Sequence, residues 1–157
     1  MNTRAEIALE NFVSEFDAFL TTCNELESEG RWDVDAYGFM SAYFESDLFA
    51  VALQIMSADG VFERAEAAVL NRMFSTEYTP RQLKEAYVSL KPVVDDYCDF
   101  DAYDALARLA TIDKGLCETY RKLILDACSI VSMSDGVAEG EEQQLIEKLE
   151  KALELRV

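Results

Sequence analysis

Two stretches of the chain hold the residues best able to do chemistry. Residues 55–70 read IMSADGVFERAEAAVL and residues 131–146 read VSMSDGVAEGEEQQLI. At a constant offset, Asp59, Gly60, Val61, Glu63 and Glu66 match Asp135, Gly136, Val137, Glu139 and Glu142. Apolar positions correspond too: Ile55 with Val131, Val69 with Leu145, Leu70 with Ile146. Each copy gathers three carboxylates within eight residues. Carboxylates that crowd one surface repel one another unless a cation neutralises them. Oxygen ligands select hard ions such as Ca2+, Mg2+ or Mn2+. Asp59, Glu63, Glu66, Asp135, Glu139 and Glu142 are therefore the candidate metal ligands, provided that the two copies meet.

A purely structural account competes for most of these residues. Gly60 and Gly136 can supply the positive φ that ends a helix. Glu63 and Glu139 stand at the N-cap position of the helix that follows. Glu66 and Glu142 stand at its third position, where a carboxylate can reach back to the cap amide and gains from the helix dipole. Such caps are worth about 0.5–2 kcal/mol each. Capping does not call for Asp59 and Asp135, and these two favour the cation reading. The calcium EF-hand loop fails the test. Gly60 and Glu66 have its glycine and final-glutamate spacing, but Ile55 and Ser57, or Val131 and Met133, occupy its first two ligand positions.

Composition narrows the chemistry further. The chain has 157 residues and a formal charge of −17, from 14 Lys and Arg against 31 Asp and Glu. That balance opposes nucleic acid, whose binding depends on cationic neutralisation of phosphates. It also opposes anionic membrane surfaces and favours cations and basic partners. There is no histidine. The commonest general base and Ser-His or Cys-His nucleophile pairs are thereby removed. Cys23, Cys98, Cys117 and Cys128 form no C-x-x-C pair and read as reduced, mostly buried thiols. No apolar run approaches the roughly 18 residues of a membrane span, and the N-terminus has no signal-type core. A cytoplasmic protein without membrane insertion is expected.

The elements that must position these residues are helices. Leu9, Phe12, Val13, Phe16, Phe19, Leu20, Cys23 and Leu26 recur at spacings of three and four, predicting a helix that ends near Gly30. Asp33 or Asp35 can cap a second helix carrying Ala36, Phe39, Met40, Tyr43, Phe44, Leu48, Val51, Ala52 and Ile55, which stops at Asp59-Gly60. Thr79-Pro80-Arg81-Gln82 combines a capping box with proline at the first helical position. A long helix after Lys114-Gly115 ends at Asp135-Gly136, and the last helix carries Leu145, Ile146, Leu149, Ala152 and Leu153. The expectation is one all-α domain of about seven helices over residues 1–157. It has an N-terminal helix (1–28), a first repeat hairpin (35–75), connecting helices (79–112) and a second repeat hairpin (115–155). Duplication suggests a pseudo-two-fold core with both corners on one side. Asp47 falls near the apolar face of its helix and needs a partner, with Arg72 a candidate.

The pattern of a long apolar helix, an Asp-Gly corner followed by Glu, and an amphipathic helix, occurring twice, resembles the TerB-like proteins of tellurite resistance. The acidic N-terminal region of DjlA-type co-chaperones shares it. The stretches that carry the resemblance are ADGVFERAE (58–66) and SDGVAEGEE (134–142). It implies a fold of about seven helices, a metal-associated acidic surface and no catalysis. Family members often have Ser or Thr at the N-cap position, where this chain has Glu63 and Glu139; the change adds charge to the corner and weakens the cap. Tellurite is itself an anion that so acidic a surface should repel, so direct tellurite binding is not expected. The reading is a non-enzymatic, divalent-cation-binding protein acting in a stress response. The alternative is an interaction module whose acidic face docks a basic protein partner.

Overall fold

A computed structural model describes residues 3–56, 64–89, 105–133 and 140–155. Among them the chain is helical, with no strand. The helices are α1 (Thr3–Ser28), the single turn α2 (Val34–Tyr37), α3 (Met40–Met56), α4 (Arg64–Phe74), α5 (Pro80–Ser89), α6 (Ala105–Ala110), α7 (Lys114–Met133) and α8 (Gly140–Leu155). The all-α expectation holds, with seven of these segments longer than one turn.

Local chemistry sets several of the boundaries. Gly30, at φ 77°, ends α1. Its N–H donates to the Glu27 carbonyl, and the Arg31 N–H donates to Leu26, so two terminal carbonyls of the helix are satisfied. At α5 the predicted capping box is present. The Thr79 N–H donates to Gln82 Oε1 at 2.9 Å and the Gln82 N–H donates to Thr79 Oγ1 at 3.2 Å. Asp33 is the acid that caps α2, its side chain accepting from the Ala36 N–H.

The second predicted helix divides in two. Gly38, at φ 75°, interrupts it, and the Trp32 indole N–H donates to the Gly38 carbonyl at 2.9 Å. That bond fixes the break between α2 and α3. As a result Ala36 is exposed and Phe39 is 66% exposed, although both had been read into the apolar stripe. Asp47 also differs from expectation. Arg72 pairs with Glu6 instead, at 2.7 and 2.9 Å, and holds that carboxyl below its ordinary range. Asp47 Oδ2 accepts the buried Tyr120 hydroxyl at 2.5 Å.

The core is one cluster running from Leu9 to Leu153. Helix α1 lies against α7, α3 and α4. Phe12, Phe16 and Phe74 pack ring on ring, as do Phe19, Phe44 and Tyr120. Such pairs add about 0.5–1.5 kcal/mol each beyond area burial.

Candidate functional site

The two repeat hairpins begin with α3 and α7, and side-chain pairings fix their directions relative to α1. Glu27, late in α1, accepts the N–H of Met40 at the start of α3, and Phe19 meets Phe44 edge to face. These helices are therefore antiparallel. Glu15 pairs with Lys122 at 2.9 Å, while Ala8 and Asn11 line one small cavity with Ser129 and Ile130. So α1 is antiparallel to α7 as well. Helices α3 and α7 consequently run the same way, side by side, with Tyr120 bonded across to Asp47. Met56 lies twelve residues beyond Phe44, and Met133 thirteen beyond Tyr120. At 1.5 Å per residue these are runs of about 18 and about 20 Å. The two helices end level, at the same end of the layer as the start of α1.

The second arms respect the repeat too. Helix α4 begins at Arg64 and α8 at Gly140, the same offset that relates the two motifs. Of the six predicted ligands, Asp59, Glu63, Asp135 and Glu139 lie outside the described residues. Glu142 belongs to α8 by its backbone, and its side chain lies outside them. Glu66 stands in the first turn of α4 and is only 4% exposed. It is the one buried charged side chain among the described residues. Burying a carboxylate is costly unless it is paired or coordinated, and the first turn of a helix lowers that cost through its dipole. Among the described residues no three acids or thiols are grouped as a metal centre.

Other predicted features divide between core and surface. Trp32 is core, whereas Tyr37 is 41% exposed and lies under the Arg108 guanidinium, 4.0 Å from its ring centre. Cys23 and Cys128 are buried and Cys117 is half-buried; none of the three is in a disulfide, and Cys98 lies outside the described residues. Burial pushes the Cys23 thiol up to about 12, so it is no nucleophile near neutral pH. The acidic run Asp95, Asp96, Asp99, Asp101 and Asp104 lies outside the described residues. None of the described helices is long and apolar enough to cross a membrane.

Helices α3 and α7 thus run parallel, and Glu66 is buried in the first turn of α4. A family model described as tellurite resistance protein TerB matches residues 45–157. The chain belongs to the TerB family. The match begins inside α3 and spans both junctions together with the connecting helices α5 and α6. Helices α1 and α2 and the first turn of α3 precede it. Searches of curated proteins and of solved structures find no match.

Reasoning from sequence missed one feature. The spacing along α1 places Val13 and Leu20 on the apolar stripe, yet Val13 is 37% exposed and Leu20 half-buried, and both line an open groove beside α4. The signal was the width of the stripe on α1, which exceeds the arc that one helix seam covers.

Proposed function

We propose that the protein is a non-catalytic TerB-family module that takes up a divalent cation where α3 and α7 finish. Asp59, Glu63, Glu66, Asp135, Glu139 and Glu142 are the residues that would hold it. The observation that carries this reading is the parallel course of α3 and α7, whose last described residues, Met56 and Met133, stand level and are followed in sequence by the two acidic motifs. The donor set consists of carboxylates without histidine, which suits Ca2+, Mg2+ or Mn2+. Absence of histidine and the unreactive Cys23 thiol argue against nucleophilic catalysis. Family membership supports a stress-response setting, with the ion or a basic protein as partner. Cys23, Cys117 and Cys128, none of them in a disulfide, suit a cytoplasmic location.

Calorimetric titration with calcium, magnesium, manganese and zinc tests the proposal. Saturable heat is expected with at least one of the hard ions, and its loss in the Asp59→Asn, Asp135→Asn double variant. No heat with any ion, or heat unchanged in that variant, overturns it.

A further inference from the structure

The groove beside α4 is built on a helix that the family match does not include. It encloses about 620 Å³. Val13, Leu20 and Phe74 give it apolar walls, while Glu10, Asp17 and Glu45 stand among its lining residues. A volume of this size falls in the range of ligand-binding clefts.

Its polar chemistry is one-sided. Among the described residues Arg72 is the only guanidinium or ammonium lining it, and Glu6 holds that group through two hydrogen bonds. Asn71 is spent on the α4–α5 loop, donating to the Tyr78 carbonyl and accepting from the Thr76 hydroxyl and the Tyr78 N–H. Among the described residues no Lys or Arg forms an ion pair with Asp17 or Glu45. The groove therefore offers apolar surface edged by carboxylates, two of which, Asp17 and Glu45, form no ion pair among the described residues.

Spacing selects the shape of the occupant. Glu10, Val13, Asp17 and Leu20 follow one another at three and four residues along α1. That row spans about 15 Å at 1.5 Å per residue, two to three helical turns. A helix laid in such a groove presents apolar anchors at i, i+3 or i+4, and i+7. We infer that the α1–α4 groove docks a basic amphipathic helix of a partner protein, its apolar side chains against Val13, Leu20 and Phe74 and its Lys or Arg residues against Glu10, Asp17 and Glu45. This site is separate from the cation reading, because it needs none of the six junction acids.

The test uses a labelled synthetic peptide with leucines on one helical face and lysines flanking them. A scrambled peptide of equal composition, with leucines spread around the helix, is the control. Fluorescence anisotropy is measured in EDTA, so that failure of the cation proposal does not affect the outcome. The expected result is binding about tenfold tighter for the amphipathic peptide than for the scramble. The Asp17→Lys, Glu45→Lys variant should weaken it about tenfold. Val13→Glu, at an exposed position that leaves the core intact, should do the same. Amide shifts on peptide addition should fall on residues 10–20 and 71–75. Equal binding of both peptides overturns the inference, as does displacement by spermidine as effective as by unlabelled peptide, or amide shifts confined to other helices.

Discussion

Helix α1 lies wholly before the span shared with the TerB family, and α7 lies wholly within it, yet their inner faces are equally dry. Helix α1 buries Ala5, Leu9, Phe12, Phe16, Phe19, Cys23 and Leu26, and α7 buries Tyr120, Leu123, Ile124, Ala127, Cys128, Ile130 and Val131. What separates them is chemistry. Helix α1 brings three phenylalanines that wedge against Phe74, Phe44 and Tyr120, whereas α7 brings mostly aliphatic groups and one buried hydroxyl. The family match thus does not mark the edge of the packed core. A helix outside the match completes the layer and leaves a groove of its own making on the outer side.

The comparison can be broken most forcefully at the aromatic contacts. Phe12→Ala should cost about 3–5 kcal/mol, comparable with Ile124→Ala at about 2–5 kcal/mol. Denaturant unfolding of both variants measures this. A cost below about 1 kcal/mol for Phe12→Ala, with Ile124→Ala severe, would make α1 an appendage. Next in size is the hydroxyl of α7. Tyr120→Phe keeps the ring but removes the proton given to Asp47, and should cost about 1–3 kcal/mol. A neutral result would mean that Asp47 is served equally well by water. Smallest is the cap of α5, outside both helices. Thr79→Ala should cost about 1 kcal/mol by thermal unfolding, because Gln82 loses the partner of its N–H.

The fold was legible wherever one residue type decides a local outcome. Thr79-Pro80-Arg81-Gln82 announced a capping box, Gly30 the end of α1, and the spacing of Leu48, Val51 and Ile55 a buried face. Legibility failed where a contact distant in sequence takes over. Nothing around Gly38 reveals that the Trp32 indole will fix a break there. Arg72 and Asp47 could not be assigned their partners, since Glu6 and Tyr120 come from helices 66 and 73 residues away in sequence. Of the candidate ligands, Glu66 alone is both named by the repeat and described in its side chain, and its burial exceeds what an exposed cap would need. That α3 and α7 run parallel follows from pairings with α1, a helix outside the repeat, so the motif alone could only suggest it.

The central claim is that both junctions serve one cation, and paramagnetic relaxation tests it most directly. Substoichiometric Mn2+ should broaden the amide signals of Met56 and Met133 together, with those at the start of α1, while Gly38 and Ile112 at the opposite end stay sharp. Broadening confined to one of the two helix ends, or centred on Glu10, Asp17 and Glu45 in the groove, would contradict the account.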